Sequence, residues 1–164
     1  MTNASCSVRP AGASDIARII ELYDELDDVH RRSHPELYRS EKFVRDPIGL
    51  ENALRDSGVG LLVADAFFDA SPAVVGFVRV VDVQTPDGRV LAPRRFGLVD
   101  DLVVTASHRR TGVGGELLRA AEVWARTRGL EALEVTVWAF NSAAQSLYDR
   151  HGFALLRHYF RKTL

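Results

Sequence analysis

Residues 98–118 read Leu-Val-Asp-Asp-Leu-Val-Val-Thr-Ala-Ser-His-Arg-Arg-Thr-Gly-Val-Gly-Gly-Glu-Leu-Leu. Up to Val104 the run is apolar and β-branched, interrupted only by Asp100 and Asp101, which is the composition of a strand. It then turns basic and Gly-rich before apolar residues recur at helical spacing. A strand therefore feeds a helix through a turn carrying Arg109, Gly112 and Gly114 in the pattern Arg-x-x-Gly-x-Gly. The first amides of such a helix have no intrahelical acceptor. Glycine at 112, 114 and 115 removes the Cβ atoms that would hold a ligand off the backbone, and the positive end of the helix dipole favours an anion. A pyrophosphate meets these conditions.

Two other phosphate loops fit this turn less well. A Walker A loop ends in Gly-Lys-Ser/Thr, but Gly115 is followed by Glu116. The dinucleotide fingerprint Gly-x-Gly-x-x-Gly fails at Leu117, although Glu131 and Glu134 stand about 20 residues on, where an acidic ribose ligand would be sought. A plain strand-to-helix connection needs one glycine, whereas this turn has three beside two arginines.

Downstream, the helix runs to about Arg128, with Leu117, Leu118, Ala121, Trp124 and Ala125 on its buried face and Gly129 closing it. Leu133, Val135 and Val137 alternate with Glu134, Thr136 and Trp138 as a strand does. Asn141 or Ser142 caps a last helix that ends near Gly152, and residues 153–164 hold enough Phe, Tyr and Leu for one or two final strands. Upstream, a short strand over 7–9 precedes a helix capped by Ser14, with Ile16, Ile19, Ile20, Tyr23, Leu26 and Val29 inward and an acidic outer face. Residues 35–46 read as irregular, with a second helix after Pro47 that ends near Gly58. Residues 59–66 and 73–84 form a hairpin, and 85–95, with Pro86-Asp87-Gly88, make an exposed excursion.

Asp101-Leu-Val-Val, Arg109-Arg-Thr-Gly-Val-Gly114, Asn141-Ser-Ala-Ala-Gln-Ser-Leu-Tyr148 and His151-Gly-Phe153 together resemble the GCN5-related N-acetyltransferase superfamily, over about 99–155. The resemblance implies an α/β fold: a mixed, mostly antiparallel sheet of six to seven strands flanked by about four helices. It implies acetyl-CoA as co-substrate, with its pyrophosphate on Arg109, Arg110, Thr111, Gly112, Val113, Gly114 and Gly115. Its pantetheine would bond the backbone of Leu102, Val103 and Val104, with Asn141 and Tyr148 also touching the cofactor. The acetyl group would pass directly to an amine. Thr105-Ala106 stands where the family commonly has an acidic residue before proline, a departure confined to the turn.

Acyl transfer from a thioester needs a deprotonated amine and a proton for the departing thiolate. Tyr148, a phenol neutral at pH 7 and two helical turns past Asn141, suits the second task, as its counterpart in the family often does. Packing in the core with the hydroxyl at the surface is the alternative for Tyr148. Asp100 and Asp101 are the candidate bases; strand alternation sends them to opposite faces unless a β-bulge, frequent in the family, re-aims one. His30 and His34 have the i, i+4 spacing of metal ligands, but Pro35 turns the chain away from helix and Arg31 occupies the position of the catalytic Glu, so no metal is expected.

A length of 164 residues and 46% hydrophobic content predict one domain spanning 1–164. A net charge of −1 gives no general attraction to nucleic acid or anionic membrane. One cysteine, Cys6, in a polar N-terminal tail, suits a reducing compartment, and no basic group nearby marks it as a nucleophile. No leader-like or membrane-spanning run is visible, so a cytoplasmic enzyme is expected. Its expected partner is an amine of unspecified identity, with a homodimer admitted. A non-catalytic acyl-CoA sensor and a nucleotide-binding protein are the rival readings.

Overall fold

The computed structural model describes residues 6–41, 43, 45–68 and 71–164, so five of the first eight residues, on which the expected absence of a leader-like run rests, lie outside it. The hairpin of β2 (Val59–Phe68) and β3 (Ser71–Gln84) pairs from Val59↔Val81 to Phe68↔Ser71; Asp69 and Ala70 of the expected connection lie outside the described residues. β1 (Cys6–Pro10) adds to β2 and β4 (Arg95–Val104) to β3, both antiparallel, and β5 (Leu133–Val135) joins β4 in parallel. The sheet order is β1-β2-β3-β4-β5. A parallel neighbour needs a crossover, and α3 (Val113–Thr127) supplies it.

The period-two alternation of the strands divides the core. Leu61, Val63, Phe77 and Val103 pack under α1 (Ile16–Ser33) and α2 (Pro47–Arg55), while Leu62, Ala64, Val78, Val80 and Val99 pack under α3. Tyr148 of α4 (Ser142–Arg150) joins the second group. Among the described residues no helix is long and apolar enough to cross a membrane.

Several expectations are corrected. The sheet has five strands, not six or seven: β5 stops at Val135, and 153–164 carry no strand. Leu155, Leu156, Tyr159 and Phe160 all stand exposed. Apolar content does not make a strand without an edge to accept its amides and carbonyls. Ser14 does not cap α1. A 3-10 turn, Ala13–Asp15, comes first, and Asp15 takes the position before the helix, its carboxylate turned to Gly12 N and Arg9. The helix continues to Ser33 and buries Leu22, which the spacing omitted. Cys6 lies in β1 and is half-buried, and burial together with the nearby charges of Glu116 and Asp65 raises its thiol pKa.

Candidate active site

β4 carries the bulge on which the choice of base depends. Arg79 pairs with Asp101 and Val80 with Val99, so Asp100 is the residue in excess on β4. Beyond it, Asp101 and Val103 face α1 and α2, whereas unbroken alternation would have put Asp101 under α3 with Val99. Asp101 is half-buried; its Oδ2 accepts the Tyr23 hydroxyl at 2.6 Å, and an Arg79 guanidinium nitrogen lies 3.9 Å away. Asp100 is exposed and takes the closer ion pair with Arg79. Burial pushes the Asp101 pKa above the ordinary carboxylate range, with the like charge of Asp100 adding to it and the Tyr23 hydrogen bond opposing it. Asp101 is thus the member of the pair suited to accept a proton.

The bulge also lies where β4 and β5 part. Their pairing ends at Val99↔Val135, so Leu102, Val103 and Val104 are bonded to β3 on one side and leave the β5 side of the strand open. Apart from Val104 O, which accepts from Arg109 Nε, that edge offers backbone donors and acceptors to an extended chain such as pantetheine, and it leads to the glycine turn.

In the turn, Arg110 has φ 62° and Gly112 φ 98°, and the helical bonds of α3 begin with Gly115 N and Glu116 N to Gly112 O. The amides of Val113 and Gly114 therefore lie ahead of the first helical bond. A Cβ on Gly112 would meet nothing within 4 Å. The other two glycines also face α4. A Cβ on Gly114 would come 3.1 Å from Leu147 Cδ2, and one on Gly115 3.0 Å from His151 Nε2, so α4 and its end pack tightly against both. Arg109, Arg110 and Thr111 are exposed around this cradle; Arg109 Nε donates to Val104 O at 3.0 Å and Thr111 Oγ1 to His108 O at 2.7 Å. Val113 is buried and can contribute only its amide.

Asn141 is the N-cap of α4, its Oδ1 accepting from Ala144 N at 3.1 Å, so its amide hydrogens are what it can offer a ligand. The Tyr148 ring is buried beside Phe153, centroids 5.4 Å apart, and burial pushes its pKa up to about 12. Its hydroxyl makes no hydrogen bond to the described residues, and it is not among their buried unpartnered atoms, so ring packing and an available proton coexist. His30 and His34 lie in a cluster of rings with Tyr38, Trp138 and Phe140, and His34 Nδ1 meets the single carboxylate of Glu36 at 3.1 Å. Among the described residues no three His, Cys, Asp or Glu side chains group as a metal site. Tyr23 and Arg79 are the residues sequence reasoning missed. Tyr23 was legible only as a core position of α1, and its hydroxyl contact with Asp101 spans 78 residues of chain.

The model of the acetyltransferase (GNAT) family matches residues 19–153. The chain belongs to that family. Its GNAT relatives include the uncharacterized N-acetyltransferase YhfO of Bacillus subtilis, 26% identical over 147 residues, which are 90% of this chain and 89% of that one. GCN5-related N-acetyltransferase 6, chloroplastic, of Arabidopsis thaliana is 40% identical over 62 residues, 38% of this chain and 22% of that one. The tetramutant of the BH1408 protein from Bacillus halodurans shares the fold, with a TM-score of 0.86 at 22% identity over 96% of this chain and 99% of that chain. Membership makes acyl transfer the chemistry of this GNAT chain and acetyltransferase its activity class.

Proposed function

We propose that the chain forms one catalytic domain that acts in the cytoplasm and moves the acetyl group of acetyl-CoA directly to a primary amine. The observation that carries this reading is the bulge at Asp100, which delivers one carboxylate of raised pKa to the place where β4 and β5 separate. The residues fit the donor. The amides of Val113 and Gly114 with Arg109 and Arg110 would hold its phosphates, and the free side of Leu102, Val103 and Val104 its pantetheine. Asp101, directly or through water, removes a proton from the amine. The amine nitrogen forms a bond to the thioester carbon, the carbon–sulfur bond breaks, and the thiolate takes the Tyr148 proton. Products are an N-acetyl amine and free CoA thiol.

Thiol release from acetyl-CoA across amine classes, with the N-acetyl product identified by mass, tests the reading. Tyr148→Phe keeps the ring and deletes the donor, so turnover falls ~10²–10⁴-fold while CoA affinity and melting temperature hold. CoA binding without thiol release on any amine marks an acyl-CoA sensor instead, and an unchanged rate in Tyr148→Phe removes the phenol from the mechanism.

A further inference from the structure

Between α1, α2 and β3 lies a cavity of ≈ 250 Å³ whose walls include Tyr23, Arg45, Gly49, Leu50, Ala53 and Arg79. Two of these residues also touch the base. Tyr23 donates its hydroxyl to Asp101 at 2.6 Å, and Arg79 reaches to 3.9 Å from it. The cavity is therefore joined to Asp101 through its own lining. Arg45 lies with its guanidinium carbon 3.9 Å above the Tyr23 ring and gives one nitrogen to both oxygens of Asp27 at 3.2 Å. Its Nε is the single buried side-chain nitrogen or oxygen without a hydrogen-bond partner among the described residues. That Nε is closed off from solvent, so an anion in the cavity meets Arg45 at its terminal guanidinium nitrogens.

Electrostatics selects the class of ligand. Arg45 gives one nitrogen to Asp27 and Arg79 one to Asp100, which leaves each guanidinium further N–H donors toward the cavity and nothing there for an all-positive acceptor such as a polyamine to accept them with. An acceptor carrying a carboxylate beside its amine places the negative end on those remaining donors and the positive end toward Asp101. The wall carboxylate of Asp46 does not compete for those arginines, because its Oδ1 caps α2 through Ile48 N at 2.9 Å. Leu50 and Ala53 provide an apolar floor, and a Cβ on Gly49 would meet nothing within 4 Å, so the wall of α2 leaves room. Resting on the acetyl-transfer reading, we infer that the acceptor is an amine bearing a carboxylate, of the amino-acid class, seated in the Tyr23–Arg45–Arg79 cavity.

The experiment measures thiol release from acetyl-CoA with the twenty proteinogenic amino acids and γ-aminobutyrate, each beside its amidated or decarboxylated counterpart. At least one carboxylated amine should be preferred by tenfold or more in kcat/KM. Arg45→Met should raise the KM for that acceptor by about 10–100-fold and leave the KM for acetyl-CoA unchanged. Because Arg45→Met also unpairs Asp27, Gly49→Leu provides a second variant, which blocks the cavity by volume and should remove the same acceptor without loss of CoA affinity in calorimetry. Turnover of amines with no preference for the carboxylate, or a preference untouched by both variants, overturns the cavity assignment and leaves acetyl transfer standing. No thiol release with any amine, while CoA binds, overturns acetyl transfer to small amines and the assignment with it.

Discussion

Asp15 and Asp101 are carboxylates drawn out of water beside the same sheet, and they end in opposite electrostatic states. Asp15 takes Arg9 nitrogens at 2.7 and 3.0 Å, and the same guanidinium reaches buried Asp65 at 2.7 and 3.3 Å. The Arg9 hydrogen bond holds the Asp15 pKa below its ordinary value against the pull of burial. Asp101 has a neutral phenol as its close partner, and the nearby Arg79 is engaged by Asp100, so burial prevails and its pKa rises. The first arrangement ties β1 and β2 to the start of α1. The second keeps a carboxylate in need of a proton, which is the condition of a base.

The largest expected effect separates the two on activity. Asp101→Asn should cost ~10²–10⁴-fold in turnover and nothing in stability. A carboxyl whose folded pKa is raised favours the fold in its protonated form, and that contribution is lost as pH rises through the raised pKa. At neutral pH the ionised group is therefore a cost, and the Asn variant should melt at the same temperature or higher. A clear fall in its melting temperature would place Asp101 with Asp15 as a structural charge. In the wild type, kcat/KM should decline as pH drops through the Asp101 pKa, at a point above the ordinary carboxylate range.

Next in size, Arg9→Met should leave two buried carboxylates without their partner and lower the unfolding free energy by about 3 kcal/mol, the low end for a buried pair because the Arg9 side chain is 44% exposed. The lowered Asp15 pKa means that its stabilisation exists above the unfolded carboxylate value and disappears as pH falls through the folded one. The gap between variant and wild type in urea melts should be wide near neutrality and close in acid. A gap that does not change with pH would show that Arg9 acts by packing alone.

The smallest effect sharpens the contrast at the proposed base. Tyr23→Phe keeps the ring against Phe77, centroids 4.7 Å apart, and removes the donor to Asp101. Since that hydrogen bond lowers the Asp101 pKa, its loss should move the acid limb of the pH–rate profile upward. The neutral-pH rate should fall less than tenfold, on the order of the ~1 kcal/mol net value of one hydrogen bond. An unmoved acid limb would mean that Asp101 does not set it.

Sequence alone determined what is local or periodic. Alternation at 59–66 and 73–84 specified the hairpin, the helical spacing from Leu117 to Ala125 specified α3, and Arg109 through Gly114 marked the turn ahead of its first amides. These follow from rules that act over a few residues, and the order of the motifs carried them to the family. Tertiary structure decided what depends on partners far along the chain. Whether Asp100 or Asp101 turns inward rests on one residue in excess against β3, and its consequence rests on Tyr23 from α1. Gly114 and Gly115 are in tight contact with Leu147 and His151, which no local pattern connects to them. The tail at 153–164 has strand composition and yet joins no edge of the sheet, because hydrogen-bond partners, unlike propensity, are assigned by the whole fold.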